Sequence, residues 1–379
     1  MMRGKARRNL LWLGGALVLA SALAACGKDL PQNTFDPAGP TAQSEKDILF
    51  WPLVIAGLVF VLVEGGIVFL AVKFRHRPGR NQLPTQLHGN TRLEIGWTIA
   101  PAVLLAVVFV PAVSLIWQLA ERPPNAMQIE VRGYQWWWGF EYLDQDMQVS
   151  YGDHAPITTA DVLVIPADVT IDLSLVSAGG GAHDDEGNSD HEVIHSFWAP
   201  RLFGKQDVVP GKSGLDNHIV FSADEPGTYY GQCAEFCGLQ HGMMKFRIVA
   251  LSPTDWQAWV LHHKEPAAKS PTGSAAQGMD LFFGTNGEGG QCIACHEVGM
   301  EGASVNTIAP NLTHFADRSH QCFAGCDFEV FNPDGSCNQQ AIEAWIRDPS
   351  AVKLGAKMPD YGLPDDQITA LTDYLCSLN

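Results

Sequence analysis

The chain has 379 residues, of which 24 are Lys or Arg and 41 are Asp or Glu, so its formal net charge is −17 at pH 7. This length allows two or three domains, and the acidic balance argues against nucleic acid as a partner and favours a basic or uncharged one. The charge is uneven, because residues 1–94 carry 11 basic and 6 acidic side chains whereas residues 95–379 carry 13 and 35.

The first 25 residues have the order of an export signal. Basic residues precede an uncharged run over 9–25, as in a signal peptide. The run ends in Leu-Ala-Ala-Cys, which resembles a bacterial lipobox and predicts lipidation of Cys26; an ordinary signal peptide with an incidental cysteine is the alternative. Residues 1–25 are predicted as a lipoprotein-type signal peptide and 26–47 as a periplasmic segment.

Two long apolar stretches follow. Residues 48–72 are apolar except for Glu64, and residues 95–120 contain no charge, so each exceeds the ~20 residues that cross a bilayer. The basic residues between them favour a cytoplasmic connection. Residues 48–120 are therefore predicted as a transmembrane helical hairpin in the bacterial inner membrane, with Glu94 at its cytoplasmic mouth and all later residues on the periplasmic face.

From Met127 onward, short alternating stretches are separated by Gly, Pro and Asp turns. This pattern is typical of an antiparallel sandwich or barrel of about a hundred residues. We assign residues 121–261 to this β domain.

The last loop of the β domain concentrates soft metal ligands. Cys233 and Cys237 are followed by His241 and Met244. Thiolate, imidazole and thioether together favour copper, because structural zinc sites use Cys and His. A second imidazole is predicted from His195, at the edge of an earlier strand. A disulfide or a zinc clip is the alternative, but neither accounts for the methionine.

A second metal motif follows a change in composition. Residues 262–277 have the composition of a linker, and residues 278–379 contain Cys292, Cys295 and His296 as C-x-x-C-H. In this haem-attachment signature both thiols bind the haem and the histidine binds its iron. A redox dithiol is the alternative, but it needs no second iron ligand.

Met358, just before a closing helix, is predicted as the second axial ligand of the haem iron. His/Met ligation suits electron transfer rather than oxygen binding; His314 and His320 are the alternatives. An oxidising compartment also predicts two disulfides of undetermined pairing among the four remaining C-terminal cysteines, which are Cys322, Cys326, Cys337 and Cys376.

These motifs together resemble a known family. The hairpin, the aromatic run at 133–138, the His195-Ser-Phe-Trp segment, residues 205–211 and the copper loop are similar to subunit II of haem–copper cytochrome c oxidases. Residues 278–379 resemble the class I cytochrome domain fused to subunit II in one group of bacterial oxidases. The resemblance implies a multidomain fold with a two-helix transmembrane hairpin, an all-β cupredoxin (Greek-key) domain and an all-α cytochrome c domain.

The resemblance also implies a dinuclear copper centre, CuA, and a covalently bound haem c. The copper ligands that it implies are Cys233 and Cys237 as bridges, His195 and His241 with one copper each, and Met244 and the Glu235 carbonyl as weak ligands. By the same resemblance, the Glu235 side chain binds magnesium at the boundary with subunit I. Trp136 would be the aromatic residue through which electrons enter from cytochrome c, and Glu94 would lie at the mouth of a proton pathway.

The implied function is that of subunit II of a respiratory cytochrome c oxidase. Electrons would pass from a cytochrome c-type donor through haem c and CuA to the oxygen-reducing site of subunit I, coupled to proton translocation. Subunit I, other oxidase subunits, the membrane and the donor are the implied partners. The alternatives are a quinol-oxidase subunit, which the copper ligands oppose, a copper-containing nitric oxide reductase subunit, and a free-standing carrier or copper-delivery lipoprotein.

One segment departs from the family pattern. Residues 178–191 form a glycine-rich acidic insertion ahead of His195, and they include His183 and His191. These side chains could hold a cation, but a solvated loop is the favoured interpretation.

Overall fold

The computed structural model describes residues 30–75, 89–149, 156–178, 192–211, 217–267, 271–285, 287, 289–299, 308–317, 322–326 and 328–378. The signal peptide with Cys26, nearly all of the 178–191 insertion and His320 lie outside these residues.

Two long helices precede the β domain: α1 (Pro40–Lys73) and α2 (Thr91–Leu119). Their most apolar windows have mean hydropathies of 2.7 and 2.6, and no part of these windows is buried by the rest of the described chain. A helix that is apolar all round needs lipid or another protein to cover it. Both helices therefore have the length and composition of membrane spans, and α1 begins eight residues before the predicted span.

Both helices are attached to the β domain at the same end of the hairpin. Near the start of α1, Ala42 is buried and the carboxylate of Glu45 accepts the backbone N–H of Gly204 at 2.9 Å. Just after α2, Arg122 forms a 2.7 Å ion pair with Asp172. The β domain thus lies where the hairpin opens, on the side opposite its connection.

The β domain is a sandwich of two sheets. Its strands are β1 (Met127–Tyr134), β2 (Trp137–Tyr142), β3 (Thr158–Ala160), β4 (Val162–Pro166), β5 (Ile171–Ser177), β6 (His195–Ala199), β7 (Phe203–Val208), β8 (His218–Phe221), β9 (Gly227–Cys233) and β10 (Lys245–Leu251). Within the described residues, one sheet has the order β3-β2-β1-β5-β8 and the other β4-β10-β9-β6-β7.

Two strand pairings are parallel, β1 with β5 and β4 with β10. The alternating pattern predicted a purely antiparallel domain, and in this respect it was wrong. Alternation reports which face of a strand is buried, whereas strand direction depends on how the connections cross between sheets. The mixed two-sheet sandwich agrees with the cupredoxin fold that the family resemblance implied.

An aromatic core joins the two sheets beneath β6 and β9. The rings of Phe197 and Phe246 stack with their centroids 4.0 Å apart, and Trp138 meets Phe197 edge-on at 4.9 Å. A Cβ at Gly231 would overlap the Phe246 ring, so glycine allows this ring to pack against β9. The core thereby supports the strand ends that carry His195 and the cysteine loop.

The C-terminal region is helical. It follows α3 (Pro253–Lys264) and contains α4 (Ser274–Phe283), α5 (Gln339–Arg347), α6 (Pro349–Val352) and α7 (Asp365–Cys376). Helices α4 and α7 pack so closely that a Cβ at Gly278 would overlap the backbone carbonyl of Ala370. Glycine at this position therefore allows the close contact. Helix α3 extends three residues into the range that the sequence predicted as linker.

The helical domain packs directly on the β domain. Cys322 is buried against Val162, Val164 and Val249 of strands β4 and β10. The backbone N–H of Gly325 also donates to the buried carboxylate of Asp161 at 3.1 Å. The two domains therefore share an apolar contact and a buried hydrogen bond.

Two disulfides lie in the described part of the cytochrome-like domain, and the structure decides their pairing. Cys322 bonds to Cys326, and Cys337 bonds to Cys376. The second bond joins the segment before α5 to the end of α7, across 39 residues of sequence. It therefore restricts the unfolded domain far more than the four-residue loop of the first.

Replacing Cys337 and Cys376 together by Ser should lower the free energy of unfolding of the helical domain by about 4 kcal/mol from loop entropy alone. The matched pair Cys322→Ser and Cys326→Ser should cost about 2 kcal/mol because its loop is short. Denaturant titration of the full chain, followed by haem absorbance, measures both. Equal losses for the two pairs would contradict the loop-entropy account.

Candidate metal centres

Two buried thiols lie at the end of β9 and in the loop that follows. The Sγ atoms of Cys233 and Cys237 are 3.8 Å apart, and the residues are 4% and 3% exposed. A disulfide requires about 2.0 Å, so the disulfide alternative is excluded and the two residues are free thiols. At this spacing both sulfurs can contact the same metal ion.

Two imidazoles and a thioether surround the sulfur pair. The Nδ1 atom of His195 is 3.9 Å from Sγ of Cys233, and Nδ1 of His241 is 3.8 Å from Sγ of Cys237. The Sδ atom of Met244 is also 3.8 Å from Sγ of Cys237. The structure therefore gathers these five predicted ligands around two sulfur atoms.

The sheet register explains why a histidine so distant in sequence reaches the cysteine loop. Strand β6 pairs antiparallel with β9, with Phe197 opposite Cys233. His195, two residues before Phe197, consequently lies beside the end of β9 and is fully buried. Its Nδ1 atom faces the sulfur of Cys233 and is therefore placed to bind a metal ion held by the thiols, while its Nε2 atom is buried without a hydrogen-bond partner.

The backbone of the loop contributes a further donor. The carbonyl oxygen of Glu235 is 3.2 Å from Sγ of Cys233, where the resemblance implied a weak copper ligand. The Glu235 side chain is half-buried. Thiolates, imidazoles, a thioether and a carbonyl form a soft, mixed donor set that fits copper better than zinc.

The hydrogen bond between the two thiols moves their pKa values in opposite directions. A hydrogen bond with Cys237 holds the pKa of the Cys233 thiol far below its usual range, although burial opposes this shift. The same bond, together with burial, raises the pKa of Cys237. The pair therefore carries one thiolate readily, and a cation must replace the remaining proton before both sulfurs can act as bridging ligands.

Trp136 connects this cluster with the C-terminal domain. Its indole N–H donates to the carbonyl oxygen of Cys237 at 3.1 Å. The ammonium group of Lys357 lies 5.7 Å from the centre of the Trp136 ring and donates to the side-chain oxygen of Gln135 at 3.0 Å. Lys357 directly precedes Met358, so one tryptophan contacts segments of both candidate centres.

The C-x-x-C-H motif has the hydrogen bonding of a haem-binding segment. Cys292 and Cys295 are not in disulfides. The Nδ1 atom of His296 lies 2.8 Å from the carbonyl oxygen of Pro310. Because a carbonyl only accepts, Nδ1 carries the proton and the lone pair of the neutral ring lies on Nε2. This outer contact orients a histidine for iron.

The segment that follows Met358 lies near the same motif. Tyr361, three residues later, has a raised pKa, mainly from burial but also from the proximity of Cys295 and Cys292. Met358 itself is half-buried. Two thiols, an imidazole and a thioether therefore fit a covalently attached haem with His/Met ligation.

The structure gives Glu94 a local contact. It lies in the exposed first turn of α2, where its carboxylate accepts the backbone N–H of Asn90 at 3.2 Å. The side chain of Asn90 in turn accepts from Arg92 and Leu93. These bonds cap the helix, and a role of Glu94 in proton transfer stays a prediction.

Sequence reasoning missed two polar residues at the copper loop. The side-chain amide of Gln135 donates to the carbonyl oxygen of Cys237 at 2.8 Å, and Lys357 contacts both Gln135 and Trp136. Each is adjacent in sequence to a predicted residue, but only the packing of the two domains brings them together.

Comparison with known proteins identifies three family matches. Residues 127–251 match the periplasmic domain of cytochrome c oxidase subunit II, residues 29–115 match its transmembrane domain, and residues 275–379 match cytochrome c.

Similar relatives cover nearly the whole chain. Cytochrome c oxidase subunit 2 of Alkalihalophilus pseudofirmus is 33% identical over 354 residues, covering 91% of this chain and 90% of its own. That of Bacillus sp. (strain PS3) is 33% identical over 402 residues, covering 100% and 99%. Among solved structures, the periplasmic domain of cytochrome oxidase subunit II of Bradyrhizobium japonicum is 25% identical and covers 38% of this chain and 96% of its own, with a TM-score of 0.29.

Met244→Leu should shift the reduction potential of the copper centre by on the order of tens of millivolts, because a weak thioether ligand tunes the potential. The buried Sδ atom is lost while the side-chain volume is nearly kept. Met243, the adjacent and 37% exposed methionine, provides the matched control Met243→Leu. Potentiometry followed by the near-infrared CuA absorption measures both, and equal potentials in the two variants would contradict Met244 as a ligand.

Met358→Leu should abolish the methionine–iron charge-transfer band. It should also lower the haem potential by on the order of 100 mV, within the ~0.8 V range that axial ligands span. Met279→Leu, on α4 and packed against the apolar core of the same domain, controls for the loss of a methionine. Optical spectroscopy of the oxidised protein measures the band, and its persistence in the Met358 variant would show the axial assignment to be wrong.

Proposed function

Because the chain belongs to the cytochrome c oxidase subunit II family, with a cytochrome c domain at its C-terminus, we propose that it admits electrons to a bacterial haem–copper oxidase. Electrons from a cytochrome c-type donor enter at the haem c of the C-terminal domain. They leave through CuA to the oxygen-reducing site of subunit I. The contact of Trp136 with segments of both centres is the observation that supports transfer between the haem and the copper.

At the copper centre, the protein supplies the ligands and excludes water. Bound copper provides reversible one-electron chemistry. Cys233 and Cys237 would supply the two thiolate ligands, and His195 and His241 would each supply an imidazole beside a different sulfur of the pair. His195 and Met244 are fully buried, and the packed sheets leave these side chains little freedom to move. A rigid donor set keeps the structural change on electron transfer small.

In the C-terminal domain, Cys292 and Cys295 would attach the haem, and His296 and Met358 would bind its iron. Bound haem c supplies a second one-electron site of high potential, as His/Met ligation favours. The hydrogen bond to Pro310 fixes the ring of His296. These residues therefore hold the donor-side centre in one orientation.

A short chain of contacts joins the two proposed centres. Met358 is bonded to Lys357, Lys357 lies over the ring of Trp136, and the indole N–H of Trp136 donates to Cys237. The side chain of Gln240 reinforces this contact by donating to the carbonyl oxygen of Leu354 at 2.9 Å. We propose that electrons pass from haem to copper along this route.

The interface between the domains has further polar contacts at its far side. The side-chain amide of Asn311, next to Pro310, donates to the hydroxyl of Thr158 on β3 at 3.1 Å. Contacts at both ends of the interface favour one docked position of the cytochrome domain. A fixed position is useful here because electron transfer falls steeply with distance.

The remaining assignments complete the proposal. The apolar surfaces of α1 and α2 are covered by lipid and by oxidase subunits, and both redox domains face the periplasm. The Glu235 side chain contributes to a magnesium site shared with subunit I. Glu94 lies at the cytoplasmic entrance of a proton-uptake pathway. Lipidation of Cys26 adds a second anchor.

The oxidase complex purified through this chain should contain a large membrane subunit and should take up oxygen when supplied with reduced cytochrome c. Trp136→Phe keeps an aromatic ring but removes the N–H that donates to Cys237. We expect it to lower the haem-to-copper electron-transfer rate by at least about tenfold, equivalent to about 1.4 kcal/mol in activation free energy. Rapid-mixing absorbance measurements of haem and copper give this rate.

Trp137→Phe is the matched control, because this neighbouring tryptophan stacks on Tyr134 instead, at 4.1 Å. Copper and haem absorption must be retained in both variants, which verifies that the centres are assembled. A purified complex without oxygen uptake would contradict the proposed function. Equal electron-transfer rates in the Trp136 variant and the wild type would contradict the route but not the function.

A further inference from the structure

A separate cluster of metal-type ligands lies where the helical domain meets α3. His262 and His263 occupy the last turn of α3. His314 directly precedes the short 3-10 helix Phe315–Asp317 of the cytochrome domain, and Asp317 ends it. The sequence placed the two α3 histidines in a linker and made His314 an alternative haem ligand, so the folded chain gives these three residues a different setting.

The three imidazoles face one another. The ring centres of His262 and His314 are 4.6 Å apart, those of His263 and His314 are 4.8 Å apart, and those of His262 and His263 are 5.3 Å apart. Three imidazoles bound to one tetrahedral ion, with nitrogens about 2.0–2.1 Å from it, have ring centres about 5 Å apart. The observed spacing is therefore close to that of an assembled three-histidine site.

A carboxylate completes the set. One ligand atom from each of His262, His263 and Asp317 can be chosen so that all three lie within 4.8 Å of one another. The Oδ2 atom of Asp317 is 3.3 Å from Nε2 of His262. These three side chains thus offer two nitrogens and an oxygen to a common point, and the ring of His314 lies beside them.

One of the histidines is held in the orientation of a metal ligand. The Nδ1 atom of His263 lies 3.0 Å from the backbone carbonyl of Trp259, and the two rings stack at 4.2 Å. Because the carbonyl only accepts, the lone pair of the neutral ring is on Nε2. A backbone carbonyl in this position is the usual outer contact of a metal-binding histidine.

An ion can reach the cluster from solvent. His314 is 9% exposed, but the side chains of His262 and Asp317 are 40% and 43% exposed. A cavity of about 410 Å³ adjoins them, and His263, His314 and Asp317 form part of its wall. The cluster is therefore buried on one side and open on the other.

We infer that His262, His263, His314 and Asp317 form a binding site for one divalent transition-metal ion, distinct from the copper and haem centres. Three imidazoles and one carboxylate without sulfur favour zinc(II). Because α3 continues from the copper domain and the other two residues belong to the cytochrome domain, the ion links the two domains at the start of the linker. It thereby stabilises the docked position of the haem.

Zinc binding to the full-length, untagged protein in detergent tests this inference. The protein is first loaded with copper and haem, so that the CuA ligands are occupied, and is then dialysed against buffered Zn²⁺. We expect one additional zinc per chain by elemental analysis, and X-ray absorption at the zinc edge should show three imidazole nitrogens and one oxygen. Competition with a weak chelator gives the affinity.

His262→Gln and Asp317→Asn alter side chains that are 40% and 43% exposed. Each should weaken zinc binding by at least about 100-fold, more than the 10–100-fold that loss of an outer-shell partner costs. His218→Gln, on β8 in the other sheet, should leave zinc binding unchanged. Copper and haem contents, measured on the same samples, verify folding and are independent of the zinc result.

Two results would overturn the inference. One is a wild-type protein that retains no zinc beyond its copper and haem, which would make the histidines an aromatic packing cluster only. The other is a zinc affinity that is the same in the wild type and in both ligand variants.

Discussion

The pairing of β6 with β9 is the contact on which the copper centre depends. It places Phe197 opposite Cys233, and this register brings the buried ring of His195 to the sulfur of a residue 38 positions later. A shift of one residue would turn His195 to the other face of the sheet. The stacked rings of Phe197 and Phe246 beneath this pair oppose such a shift, because the ring of Phe197 must point into the core.

The position of the cytochrome domain depends on contacts with the same region. Asp161 accepts the backbone N–H of Trp138 with one carboxylate oxygen and that of Gly325 with the other. It therefore joins the strand of the aromatic run to the disulfide-closed loop of the second domain. Lys357 and Trp136 make a further contact between the two domains. These contacts together favour one position of the cytochrome domain relative to the β domain.

Each proposed centre follows the chemistry of its donors. At the first centre the donors are thiolate, thioether and imidazole, which suit a metal ion that changes its oxidation state. The pair of thiols next to a buried imidazole therefore favours copper. Where His262, His263 and Asp317 meet, the donors are nitrogen and oxygen, and an ion of constant charge such as zinc can join two domains without taking part in redox chemistry. The different donor sets explain how one chain could keep the two metals apart.

Sequence alone determined the features that depend on neighbouring residues. The loop from Cys233 to Met244, the C-x-x-C-H motif with Met358, and the lengths of the apolar stretches are local patterns, so the donor types and membrane spans could be predicted from them. The position of His195 at the edge of an earlier strand selected it as the second imidazole, whereas resemblance to a family selected Trp136 among several tryptophans.

Tertiary structure decided what depends on residues distant in sequence. It paired Cys337 with Cys376, made two strand pairings parallel, placed Lys357 over Trp136 and assembled His262 and His263 with His314. The physical reason is that hydrophobic patterns report burial but not which buried surfaces meet. That choice is made by the packing of two whole domains.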